Sequence, residues 1–154
     1  MKDELVSYRT GGWCYYGINT DQNPAFKDTD NVGKFMTFGK GILSNETQEL
    51  IINAINQGIT PLIKHTDMST INFNPQSKDG TWVIVWYSND EEKNLKGLAK
   101  FLINHRLVAK TKSGRYYNIS FKYDKQTQNG EYGQQFKPSI SLKDLMNLNT
   151  GEFY

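Results

Sequence analysis

The chain has 154 residues, a formal net charge of +2 and an aromatic content of 13%. That length predicts one domain with a core of its own, because chains of this size bury roughly two thirds of their extended surface on folding. A charge so close to zero is too small to argue by itself for broad nucleic-acid binding. The single cysteine, Cys14, excludes an internal disulfide, and two histidines with one thiol give no zinc spacing. A reducing compartment is expected, with Cys14 as a buried strand residue among Trp13, Tyr15 and Tyr16. No apolar run approaches the ~20 residues that cross a bilayer, and the first residues lack a charged segment followed by an apolar one and a cleavage site. A cytoplasmic location without membrane contact is therefore expected. KDEL stands at residues 2–5 rather than at the C-terminus, and the sequons at Asn45 and Asn118 carry weight only in a secreted chain.

In chain order, WCYYGI (13–18) is aromatic and β-branched and predicts a first strand, ended by the Asn, Asp and Pro-rich loop 19–31. KFMTF (34–38) predicts a second, closed by Gly39 and Gly41. Residues 45–58 predict a helix: Ser44 or Asn45 suits the N-cap, Leu50, Ile51, Ala54 and Ile55 keep helical spacing, and Gly58 sits where a C-terminal glycine belongs. Pro61 then forbids helix and fits the start of a strand in which Leu62, Lys64 and Thr66 share one face and Ile63, His65 and Asp67 the other. TWVIVWY (81–87) is apolar on both faces and predicts a central strand. Ser88, Asn89 and the acids Asp90, Glu91 and Glu92 start a second helix, with Leu95, Leu98, Ala99 and Leu102 as its buried stripe and His105 and Arg106 in its last turn. YYNISFKYD (116–124) alternates as a strand should, and a short helix is expected over 141–148. Helices that cross between strands of one sheet predict an α+β layer with the helices covering one side and the other side open to a ligand.

The common motifs are missing. GKFMTFGKG (33–41) has five residues between its glycines and Gly41 where a P-loop needs Ser or Thr. Neither His65 nor His105 begins an H-x-[ST] pair, no G-x-S-x-G elbow occurs, and no acidic cluster has metal spacing. No cofactor is implied. What stands out is the polar side of the last strand: Lys122 with Thr127 and Tyr132 near one strand end and Lys64 at another, both strands otherwise interior in character and beside Trp82 or Trp86, depending on register. Two lysines with hydroxyls and an aromatic floor make a phosphate and base pocket.

These segments resemble the family of putative phosphothreonine lyase domain proteins, whose fold is like that of cap-binding translation initiation factor 4E. WCYYGINTDQNP is similar to the family's aromatic first strand and Asp/Asn-Pro loop, and VGKFMTF to its GKW-x-x-F strand. QGITPLIKHTD occupies the place of G-x-L-G-x-x-A-K-V-S-T, with Lys64 on the motif lysine. WVIVWYSND matches the apolar strand before the second helix. ISFKYDKQTQNGEY matches Y-K-T-D-x-x-T-x-x-G-x-Y at Lys122, Asp124, Thr127, Gly130 and Tyr132, with Phe121 for the tyrosine. Phe35 replaces the tryptophan of GKW, and His65-Thr66 replaces Val-Ser. The resemblance implies a curved, mainly antiparallel sheet with helices on its convex back and a concave front that holds a ligand.

Two functions follow as expectations. As a binding module, the protein holds a phosphorylated small molecule such as a nucleotide or signalling nucleotide, an RNA end or a phosphopeptide. Lys64 and Lys122 neutralise phosphate, Thr127 and Tyr132 donate hydroxyl bonds, Asp124 accepts from the ligand or orients Lys122, and Trp86, or else Trp13 or Trp82, stacks a base. As a lyase, it eliminates phosphate from phosphothreonine with Lys122 or Lys64 as the base and His65 as the acid. A third reading is a phage or mobile-element protein that grips a host protein through its aromatic edge.

Overall fold

The first element pair is a hairpin. In the structure, a computed structural model that describes residues 5–18, 31–71, 80–128, 130 and 138–154, Leu5–Thr10 (β1) pairs antiparallel with Trp13–Ile18 (β2), and Thr10 faces Trp13 across a two-residue turn. Gly11 and Gly12 fill that turn with φ of 58° and 83°. Positive φ at both central positions is what a tight hairpin requires for its twist to match the strands, and glycine adopts it without strain. β1 lies outside the elements expected from sequence. Its residues are mostly exposed, so pairing and turn chemistry define it rather than burial.

Val32–Lys40 (β3) extends the second expected strand at both ends. Asn45–Asn56 (α1) starts as expected: Ser44 Oγ accepts from the Thr47 N–H at 3.2 Å, and Ile51, Ala54 and Ile55 are buried. At its end the Gly58 N–H donates to Ile55 and the Ile59 N–H to Ala54, a Schellman closure in which Gly58, at φ 73°, takes the left-handed position. Leu62–Thr66 (β4) and Thr81–Asn89 (β5) follow, antiparallel to each other. Glu92–Asn104 (α2) buries Leu95, Leu98, Ala99 and Leu102 as expected, and Phe101 with them. Asn89 Oδ1 accepts from the Glu91 N–H at 3.2 Å and from Asn94 Nδ2 at 2.8 Å, so the strand's last residue secures the start of the helix.

Two expectations at the C-terminal end are corrected. The strand foreseen over 116–124 is confined to Ser120–Tyr123 (β6), because upstream the Tyr116 and Tyr117 amides turn to the Leu148 and Ala109 carbonyls. Asp124–Gln128 then forms a short helix (α3). The helix foreseen over 141–148 is a single 3-10 turn, Leu142–Asp144, after the two-residue strand Ile140–Ser141 (β7). Ser141 and Asp144 close a capping box on it, and Asn147 Oδ1 then accepts from the Asn149 and Thr150 amides. Side chains that hydrogen-bond nearby backbone compete with helix at this point.

The protein is α+β, and among the described residues seven strands form an unclosed antiparallel sheet in the order β1-β2-β4-β5-β3-β6-β7. The chain divides into two compact units, Met1–Asn23 with Met36–Tyr87 and Pro24–Phe35 with Ser88–Tyr154. The first has α1 against β1, β2 and β4 and a core of Cys14, Ile51, Ile55, Ile63, Ile84 and Trp86. The second gathers Phe35, Leu98, Leu102, Phe121, Leu142 and Met146, with Phe35 edge-on to Phe121 at 5.4 Å. No described helix is long and apolar enough to cross a membrane.

Candidate functional site

In the second unit, the alternation of FKYD sorts aromatic from charged side chains. Phe121 and Tyr123 share one face, their rings 5.2 Å apart, and Tyr123 Oη donates to Asp90 Oδ2 at 3.0 Å. Burial, with help from that carboxylate, pushes the Tyr123 phenol up to about 12, so the hydroxyl stays a donor. Lys122 points to the other face, and the antiparallel register sets Lys34 of β3 directly opposite it. Lys122 is 6% exposed and the Lys34 side chain 12%. Lys34 Nζ donates to Asp124 Oδ1 at 3.1 Å. Lysines are among the residues least often buried, and like charges directly opposite on neighbouring strands destabilise a sheet. Two lysines nevertheless share one face across the β3–β6 register, and Lys34 is ion-paired with Asp124.

The approach of the two strands depends on Gly33. A Cβ at that position would lie 2.6 Å from the Lys122 carbonyl oxygen and 2.6 Å from the Phe121 ring, so glycine is what lets β3 close on β6 and set the lysines in register.

Lys64 belongs to the first unit, opposite Tyr15 on β2 and Val85 on β5. Its Nζ lies 4.2 Å from the centroid of the Trp13 ring, 5.8 Å from Tyr15 and 6.0 Å from Tyr87. Tyr15 in turn stacks on Tyr8 at 4.8 Å with 6° between the planes. The lysine thus lies over aromatic faces, an attraction of about 0.5–1 kcal/mol at a partly exposed site.

His65, on the other face of β4, is 3% exposed. Its Nδ1 is 2.7 Å from the Thr66 carbonyl oxygen, which only accepts, so Nδ1 carries the proton. Nε2 then accepts from Tyr16 Oη at 3.3 Å. Burial lowers its pKa despite the nearby Thr66 carbonyl and Asp67, and the ring is held neutral with both nitrogens engaged, a structural arrangement. The unfolded chain takes up this proton near pH 6.5 while the folded one resists it, so the stabilisation is present above about pH 6.5 and is lost as pH falls through the folded value. Unfolding free energies from urea titrations between pH 7 and 5 should fall, at a limiting slope of about 1.4 kcal/mol per pH unit, and His65→Gln should flatten that fall.

Trp86 is wholly buried, its Nε1 donating to Thr37 Oγ1 at 2.9 Å, which makes it a core residue with no face for a base. Trp82 packs its ring on Gly39, where a Cβ would come within 2.2 Å. Trp13 is the tryptophan beside a candidate lysine. Thr127 lies in α3, and Tyr132 lies outside the described residues. Cys14 is buried, which pushes its thiol pKa up and leaves it inert. Among the described residues no three His, Cys, Asp or Glu side chains gather to hold a metal ion.

Of the residues chosen from sequence, Lys122 and Asp124 lie in the second unit, Asp124 bonded to the Lys34 that stands opposite Lys122, while Lys64 and His65 are on opposite faces of β4 in the first. Lys34 was missed as a site residue. The lysine of VGKFMTF was in plain view, but a lysine at the start of a strand carries no mark of its partner across the sheet. Comparison with protein-family models and with curated proteins finds no match in either.

Proposed function

We propose that the protein binds a phosphorylated ligand whose phosphoryl group is seated by Lys34 and Lys122. The observation that carries this reading is the cross-strand lysine pair itself. A phosphoryl group brings negative charge and acceptor oxygens to two lysines that face each other across the sheet, and lysine meets phosphate as a point charge. Asp124 fixes the direction of Lys34. The reading takes Lys122 and Asp124 from the sequence, adds Lys34 and leaves Lys64 out. It accords with the resemblance of VGKFMTF and FKYDKQTQNGEY to the putative phosphothreonine lyase domain family, and with it we read the fold as like that of initiation factor 4E.

The test is thermal stabilisation by nucleoside triphosphates, cyclic dinucleotides, a capped dinucleotide and a phosphothreonine peptide, each beside its unphosphorylated counterpart. A ligand at 100 times its Kd stabilises by about 2.7 kcal/mol. At least one phosphorylated compound should raise Tm, its counterpart should not, and Lys34→Met and Lys122→Met should each remove the shift while leaving the protein folded. Equal shifts in both variants, or none in the wild type, would overturn the reading. Phosphate release from the peptide, lost in Lys122→Met, would replace it with the lyase.

A further inference from the structure

A second cationic feature lies wholly in the second unit and shares no residue with the strand register that pairs Lys34 with Lys122. From residue 93 to residue 123 the chain has no acid, and within it residues 106–115 carry Arg106, Lys110, Lys112 and Arg115. The whole chain is at +2, so removing these four charges leaves −2 for the rest: the positive charge is concentrated in this stretch. All four side chains are exposed, and none forms an ion pair among the described residues.

The stretch is a shaped hairpin. Lys110 bridges Tyr116, the Thr111 N–H donates to Arg115 at 2.7 Å, and the Gly114 N–H donates to Thr111 at 3.0 Å. The Tyr116 amide anchors it on the Leu148 carbonyl. Against its base lies a cavity of about 570 Å³ lined by Ile103, Asn104, Arg106, Val108, Lys110 and Tyr116, large enough for a nucleotide-sized ligand. Lys110 Nζ is 4.8 Å from the centroid of the Tyr116 ring, and Tyr117 beside it is 54% exposed.

Arg106 supplies an independent observation. The Arg106 N–H donates to Ile103 and the Leu107 N–H to Leu102, the closure that ends α1, but the left-handed position filled there by Gly58 is filled here by Arg106 at φ 57°. It is the only described residue other than glycine with positive φ. Glycine is the favoured residue at this position, and a side chain there is under backbone strain. The strained residue is also a cavity-lining cation, and such strain concentrates at ligand sites.

We propose that this hairpin and its cavity bind single-stranded nucleic acid, the four cations meeting successive phosphates and the exposed Tyr117 offering a stacking face. Cations alone suit any polyanion. The exposed aromatic ring and the nucleotide-sized cavity favour one that carries bases.

The test is fluorescence anisotropy with labelled oligouridylate and oligodeoxythymidylate across a salt series, with duplex DNA and phosphatidylserine vesicles in parallel. Binding to at least one single strand is expected, with log K falling against log salt at a slope near −3, about −0.7 per phosphate contact. Lys112→Ala with Arg115→Ala should flatten that slope by about 1.4, and Tyr117→Ala should weaken binding about 10-fold. Arg106→Gly should weaken binding while raising Tm, a pair of effects that a merely structural arginine would not produce. Lys34→Met and Lys122→Met should leave this binding unchanged, which separates it from the phosphoryl site. Wild-type affinity in the hairpin variants, no binding to either strand at low salt, or stronger binding to duplex or vesicles would overturn the proposal.

Discussion

Replacing Gly33 by alanine is expected to lower stability by about 3 kcal/mol or more, beyond the usual 1–3 for an overpacked core. The new methyl group would stand 2.6 Å from a backbone oxygen of the paired strand and from the ring of Phe121, which is wholly buried. Neither obstacle is the free end of a flexible side chain, so β3 and β6 must separate for the methyl group to fit. The loss should appear as a fall in Tm of roughly 6–12 °C for a chain of this size. Because the separation also parts Lys34 from Lys122, whatever fold remains should lose phosphoryl-dependent stabilisation. A Gly33→Ala protein with unchanged Tm would show that the strands have room here and that the lysines are not held in register by this contact.

Trp86→Ala should cost about 3–5 kcal/mol, the range for deleting a fully buried aromatic side chain. Trp86 is wholly buried, and its removal both opens a cavity and leaves Thr37 without the indole donor. Thr37→Val probes the hydrogen bond alone and should cost about 1–3 kcal/mol, because the indole N–H then stays buried without a partner. Urea unfolding reads both. If Trp86→Ala proved nearly neutral in stability but abolished ligand binding, Trp86 would be a binding aromatic and its burial in the core would be wrong.

Much of the architecture could be read from local signals. Ser44 and Gly58 bound α1 where cap chemistry places them, the α2 stripe of Leu95, Leu98, Ala99 and Leu102 is buried, and the alternation of Phe121 and Tyr123 with Lys122 holds in the sheet. The failures come from interactions that have no local pattern. β1 is a strand because a Gly-Gly turn folds it back on β2, although none of its residues is buried. The strand expected at 116 starts at Ser120 because two upstream amides find carbonyls elsewhere. The candidate site was half legible for the same reason. Lys122 and Asp124 lie in one polar segment, whereas Lys34 reaches them only through strand pairing, which periodicity does not encode. Trp86 illustrates the converse, since a tryptophan's composition value is the same in a core as in a pocket.

The ion pair between Lys34 and Asp124 joins residues 90 positions apart, and this has a kinetic consequence. Closing a loop of that length costs about 2 kcal/mol more entropy than closing one of ten residues, by the logarithmic dependence on length. The β1–β2 hairpin, with its two-residue turn, forms on the microsecond scale of local structure. The lysine pair must wait for distant parts of the chain to meet, and during synthesis Lys34 has no partner strand until the chain through Tyr123 has left the ribosome.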